Sequence, residues 1–296
     1  MGVCRVYNEE KKRMKAKRII ARLDIKGPNV VKGIHLEGLR VLGDPSEMAQ
    51  FYYEQGADEL FYQDVVASLY ERNSLRDFIS ETAKKSFIPL TVGGGIRTLD
   101  DIKRVLRAGA DKVSINTAGV RDPDFIKQAV NKFGSSTIVC TIEAIKQPGG
   151  DYLAFVDNGR EHTGLEVLHW AERVQDLGVG ELVITSVDRE GTGKGFDLQL
   201  IKEVRNRLEI PIIAHGGAGK AQDVYDVFDE GKVNAVALSS IIHYEYLKNS
   251  KNEILSKSEG NTNFLKSGRS FTKIEEPISI MKLKQYLIGK GFLCRI

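Results

Sequence analysis

The 296-residue sequence predicts an α/β fold: a single (β/α)8 TIM barrel built from two similar half-barrels. Three observations carry that expectation. Short apolar runs alternate with stretches of helical period, the pattern of βαβ units around a parallel sheet. About eight such units fit along the chain, the number that closes a barrel. The sequence also repeats itself. "IPLTVGGGI" from Ile88 matches "IPIIAHGGAG" from Ile210, and "FYQDVVAS" from Phe61 matches "VITSVDRE" from Val183, both at an offset of 122. "VSINTAGV" from Val113 matches "VALSSIIH" from Val236 at an offset of 123. A half-barrel cannot close its own sheet, so the two halves combine into one.

The eight strands are expected at about Ile19–Ile25, Leu60–Val65, Pro89–Gly93, Lys112–Asn116, Thr137–Glu143, Leu182–Val187, Pro211–Ala214 and Ala235–Ser239. Between them lie "PSEMAQFYYEQGAD", "TLDDIKRVLRAGAD", "DPDFIKQAVNKFG" and "GLEVLHWAERVQDLG". Each carries apolar residues at three- and four-residue spacing, and several end at Gly. Trp170 falls on the apolar face of one such helix and reads as core. Two segments stand outside the repeat. Residues 1–14 read as a polar N-terminal arm, with Met14 as an alternative start. Residues 248–276 read as a polar insert before the last helix, "ISIMKLKQYLIGKG". The barrel itself is expected over 15–296.

Composition excludes several classes. Hydrophobic content of 42% and charged content of 28% are ordinary for a globular protein. A net charge of +3, with both signs interspersed, gives no reason to expect nucleic acid. No apolar run is long enough to span a membrane, and the N-terminus lacks a signal-peptide core. Cys4, Cys140 and Cys294 are far apart, which fits a reducing cytoplasm rather than a disulfide framework. No metal-ligand spacing occurs among the histidines, and no cofactor is expected.

Active sites of this barrel sit at the C-terminal ends of its strands. Gly94 and Gly95 follow strand 3, and Gly216 and Gly217 follow strand 7. Asn116 and Thr117 follow strand 4, and Ser239 and Ser240 follow strand 8. Glycine turns and hydroxyls at such places suit anions, and their duplication predicts two phosphate sites facing each other across the mouth. Thr185 at the end of strand 6 joins the substrate-binding set. Asp24 and Glu143 end strands 1 and 5, equivalent positions in the two halves, and are the candidate catalytic acid and base. His35, after strand 1, and His215, in the mouth, are further candidates for ligand contact.

Strand parity adds another group. Side chains two apart share a face, so Arg18, Ile20, Arg22 and Asp24 share one. The same reasoning turns Glu59, Lys112 and Glu181 inward at the other end of the barrel. Arg18, Glu59, Lys112 and Glu181 therefore form a ring of two positive and two negative charges, either a structural salt-bridge layer or a gate on a passage.

Together these motifs resemble the HisF family, the cyclase subunits of imidazole glycerol phosphate synthase. "AKRIIARLDIK", "VVKG", "LRVLGDP", "QGADELFYQDV", "IPLTVGGGIR", "RAGADKVSINTAGVRDP", "TSVDREGT", "GFDL" and "GGAG" carry the resemblance. It runs from about Lys15 to His243 and resumes at Ile278–Ile296. It implies a barrel that receives ammonia from a glutaminase (HisH-like) subunit at its N-terminal face. The barrel then uses the ammonia in lyase/cyclase chemistry on a bisphosphate of the histidine pathway. It also implies that the four-charge ring is an ammonia gate, that Asp24 is catalytic, and that Lys32 closes over the substrate. Gly95, Asn116, Thr117, Gly217 and Ser240 correspond to its phosphate positions.

The sequence departs from the family at the mouth. Glu143 replaces its second catalytic aspartate, Glu190 replaces aspartate in "DRDGT", and Arg22 and His215 replace small residues. Arg22 is expected to pair with Glu143 and lower its pKa. These departures resemble a paralogous branch in which the barrel supplies ammonia to a sugar amidotransferase that adds acetamidino groups to surface polysaccharide. A sister barrel that isomerises a phosphoribosyl compound shares the duplication but does not need the charged ring.

Overall fold

The computed structural model describes residues 15–66, 76–249, 274 and 276–296. The expected arm at 1–14, and nearly all of the expected insert at 248–276, lie outside the described residues.

Eight parallel strands close into a barrel: β1 (Arg18–Lys26), β4 (Glu59–Asp64), β5 (Leu90–Gly93), β6 (Lys112–Ile115), β7 (Ile138–Lys146), β10 (Glu181–Ser186), β11 (Ile212–His215) and β12 (Ala235–Leu238). They pair in chain order. β12 returns to β1, and pairing of β10 with β7 completes the circle. The eight expected strands thus all form, with ends moved by a few residues at most.

The sequence reading missed two hairpins. β2 (Asn29–Ile34) and β3 (Glu37–Gly43) continue antiparallel from β1. β8 (Tyr152–Val156) and β9 (Glu161–Glu166) continue antiparallel from β7. They occupy equivalent places in the two halves and extend the sheet over the mouth.

The helices start where side chains can satisfy free backbone N–H groups. Asp44 accepts from Ser46 and Glu47 at the head of α1 (Pro45–Glu54). Thr98 and Asp101 form a reciprocal capping box on α3 (Leu99–Ala108), which follows α2 (Arg76–Lys85). A short α4 (Thr117–Arg121) precedes α5 (Pro123–Phe133). Glu166 caps α6 (Val167–Asp176). Trp170 of α6 is buried in the shell between strands and helices, as expected. The chain continues through α7 (Leu198–Arg207), α8 (Ala221–Asp229) and α9 (Ser240–Asn249) to α10 (Ile280–Gly289).

The register confirms which side chains face the lumen. Ile20, Phe61, Val139, Val183, Ile213, Ala235 and Ala237 form their own buried apolar cluster inside the barrel. It separates the charges at the bottom from the polar groups at the mouth.

Candidate active site

At the bottom, the four expected charges meet. Arg18 reaches Glu59 through Nη1 and Glu181 through Nη2. Lys112 Nζ lies 3.1 Å from Glu59 Oε2 and 2.9 Å from Glu181 Oε2. Each cation thus touches both anions, closing a ring of four ion pairs.

The mouth is divided. On one side Gly94, Gly95, Asn116, Thr117 and Glu143 line a cavity of about 290 Å³. Gly94 has φ +97°, and a Cβ there would sit 2.3 Å from the Asp64 carbonyl oxygen, so only glycine lets the turn approach β4. On the other side Gly216, Gly217, Ser239 and Ser240 line a cavity of only about 20 Å³, with Glu190 and His215. The Ser240 hydroxyl there is buried and has no partner among the described residues. The two expected sets of glycines and hydroxyls therefore line two separate cavities, one open and one nearly closed.

The β2–β3 hairpin packs against the closed side through Glu190. Its Lys32 is 4% exposed; the ammonium bonds Glu190 and lies 3.7 Å from Asp24 Oδ2. Glu190 also accepts from the Leu36 N–H at 3.1 Å, while its own carbonyl accepts from His35 N–H at 3.0 Å. His35 Nδ1 meets the Val187 carbonyl at 2.8 Å, so His35 holds the hairpin down. Sequence reasoning noted Glu190 as a departure but did not find this clamp, because its partner lies 158 positions away.

Asp24 and Glu143 have opposite surroundings. Arg22 Nε donates to Asp24 Oδ1 at 2.9 Å, and Arg22 Nη1 lies 3.2 Å from His215 Nδ1. The guanidinium also stacks over Phe61, 5.5 Å from its ring centre. Burial works against charge on Asp24, but Arg22 and Lys32 outweigh it and hold the carboxyl below its usual range. Burial lowers Lys32 to about 8, with Asp24 opposing. His215 is driven well below its usual range by burial and the nearby cations. Glu143 bonds no cation among the described residues, and Arg22 acts on it only through space. Its Oε2 accepts from the Gly159 N–H at 2.7 Å, but burial dominates and lifts the carboxyl to about 7.

Two expectations are corrected. Arg22 pairs with Asp24 rather than Glu143, because Asp24 lies two residues along the same strand face, and Glu143 is raised rather than lowered. Thr185 is fully buried and bonds His215 Nδ1 at 3.2 Å. It sits level with Glu143 and His215 in the strand register and is not among the residues that line either cavity. Asp24 is not among the residues that line the open cavity, and Arg22 and Lys32 engage its carboxylate.

A family model described as "Histidine biosynthesis protein" matches residues 18–248. The chain is 55% identical over 206 residues to the imidazole glycerol phosphate synthase subunit HisF of Legionella pneumophila, covering 70% of this chain and 97% of that one. It is 50% identical over 237 residues to the subunit so named from a Synechocystis species, covering 78% and 90%. It is 44% identical over 250 residues to the one from Methanocaldococcus jannaschii, covering 78% and 92%. The family model spans the barrel from its first strand into the helix after its last, and the chain belongs to the HisF family of imidazole glycerol phosphate synthase subunits.

Proposed function

We propose that Asp24 and Glu143 are the base and acid with which this imidazole glycerol phosphate synthase subunit performs its carbon–nitrogen lyase and cyclase reaction in histidine biosynthesis. The observation that carries the assignment is their opposite surroundings: Arg22 bonds Asp24, whereas Glu143 is met by the Gly159 N–H. Asp24, ionised by Arg22 and Lys32, can accept a proton. Glu143, lifted to about 7, can donate one near neutral pH. The extra methylene of glutamate is accommodated by the Gly159 N–H, which fixes one carboxyl oxygen.

The bisphosphate lies with one phosphate at Gly94, Gly95, Asn116 and Thr117. The other lies at Gly216, Gly217, Ser239 and Ser240, where the unpartnered Ser240 hydroxyl awaits an acceptor. The second cradle opens when the β2–β3 hairpin lifts, and Lys32 then closes over bound substrate. A glutaminase subunit docks at the N-terminal face and delivers ammonia through the ring of Arg18, Glu59, Lys112 and Glu181. The relatives are named for imidazole glycerol phosphate synthase, so the sugar-pathway alternative and its amidotransferase partner are not borne out.

The test is cyclase turnover by the purified chain with excess ammonium salt and no glutaminase. Wild type turns over, and Asp24→Asn and Glu143→Gln each lose at least about 100-fold. Wild-type activity that survives both substitutions removes the acid–base assignment. No wild-type turnover removes the cyclase reading.

A further inference from the structure

The β8–β9 hairpin reaches across the open cavity. Its turn residues Asp157, Asn158 and Gly159 have φ 52°, 63° and 76°, a left-handed run that these three residue types tolerate. Each touches the mouth. The Gly159 N–H holds Glu143. The Asn158 side-chain amide donates to the Leu36 carbonyl at 3.0 Å and ties the two hairpins together. Asp157 engages Thr117: its N–H donates to Thr117 Oγ1 at 3.2 Å, and the Thr117 hydroxyl donates to Asp157 Oδ1 at 3.4 Å. Arg121 Nη2 lies 3.0 Å from Asp157 Oδ2 and 2.9 Å from Glu161 Oε2.

Thr117 and Arg121 both line the open cavity. A hydroxyl and a guanidinium side by side are what a phosphate group seeks, and a carboxylate of the protein's own chain holds both. That hold is weak. Arg121 is 61% exposed, and exposed ion pairs contribute little. A phosphate group brings more charge and an additional acceptor oxygen.

We propose that Asp157 is an internal stand-in for the substrate's phosphate, and that Arg121 becomes a ligand of that phosphate once it displaces Asp157 from Thr117. The inference rests on the reading of Gly95 and Thr117 as a phosphate site. It adds a consequence: the turn that releases Asp157 also carries Gly159, so phosphate binding is mechanically linked to the group that fixes Glu143.

The experiment is a titration of the full chain with inorganic phosphate, followed through the backbone amide resonances of Gly95 and Gly159. Asp157→Asn removes the charge and keeps the turn, because Asn tolerates left-handed backbone as Asp does. It should bind phosphate about 3-fold more tightly. Arg121→Gln should bind about 3-fold more weakly, and adding Asp157→Asn to it should bring no gain. Unchanged affinity in Asp157→Asn, or a gain that survives without Arg121, overturns the proposal. Thr117→Val separates this from the underlying site. If phosphate shifts Gly95 with wild-type affinity in that variant, the phosphate reading fails and takes the proposal with it. If Thr117→Val loses the shift while the Asp157 and Arg121 variants match wild type, the site stands and the internal competitor does not.

Discussion

Replacing Glu143 with Gln should stabilise the protein at alkaline pH and leave it unchanged in acid. The carboxyl moves from an ordinary 4.5 in the unfolded chain to about 7 in the native state. Between those values the native protein retains a proton that the unfolded chain has released. Native stability therefore falls as pH rises through that window, since the unfolded state binds fewer protons. A shift of about 2.5 units at 1.36 kcal/mol per unit amounts to about 3 kcal/mol, present in full above pH 7. Gln imitates the protonated acid: it cannot ionise, and its amide oxygen can still accept the Gly159 N–H. Wild type and variant should thus unfold alike below about pH 4.5. At pH 8 the variant should gain up to about 3 kcal/mol, or roughly 6 °C in melting temperature at about 2 °C per kcal/mol. Denaturant titrations at a series of pH values measure the difference directly. A difference independent of pH, or a variant less stable at pH 8, would refute an uncharged Glu143. The same variant should lose cyclase activity, so stability and catalysis would move in opposite directions at one residue.

Other substitutions probe the remaining parts. Arg22→Ala strands the buried Asp24 carboxylate with only the more distant Lys32; equilibrium unfolding should show a loss of about 3–5 kcal/mol. Gly94→Ala should cost about 1–3 kcal/mol from the left-handed backbone alone, and phosphate titration should show the open cradle weakened. Arg18→Ala should leave ammonium-supported turnover near wild type while glutamine consumption and product formation, measured together, fall out of step. Equal coupling in that variant would reduce the ring to structure. The pH profile of kcat/KM should decline above about pH 7 as Glu143 ionises, and a flat profile from pH 6 to 9 would argue against Glu143 as the acid.

The barrel was legible because its signals are local. Parity along one strand turns Arg18, Ile20, Arg22 and Asp24 inward, and a repeat at a fixed offset pairs strand with strand. The ring at the bottom could be read the same way, since each member needs only its own strand to point it. The mouth was less legible. Parity says which face Arg22 takes but not which carboxylate its guanidinium reaches, and a long side chain can serve either. Lys32 and Glu190 meet only because a hairpin folds over the barrel, and neither residue's neighbours along the chain encode that. The hairpins themselves left a trace that could have been used. "NVVKGI" and "YLAFV" lie at nearly the repeat offset, and each precedes a second short run. Alternation interrupted by Gly and left-handed turns hid them as loops.

Duplication accounts for where the two carboxylates sit, and departure from symmetry accounts for their difference. A repeated half-barrel places an acid at the end of β1 and another at the end of β7, in backbone environments that are copies of each other. Identical surroundings would give both the same pKa, and a pair alike in protonation cannot act as donor and acceptor at once. The first half breaks the copy with two cations, Arg22 on the same strand and Lys32 on the following hairpin, both against Asp24. The second half answers with a neutral contact, the Gly159 N–H from the equivalent hairpin. Both hairpins thus perform the same structural task, reaching back to the carboxylate that precedes them, but one delivers charge and the other a backbone dipole. Withdrawing the charge from the first half tests whether the two carboxyls are set separately. Removing Arg22 should raise Asp24 toward ordinary or higher values, while Glu143, on which Arg22 acts through space and after burial and the Gly159 N–H, should move less. Carboxyl titration by NMR would measure both at once, and equal shifts at the two residues would show that the halves are not set independently.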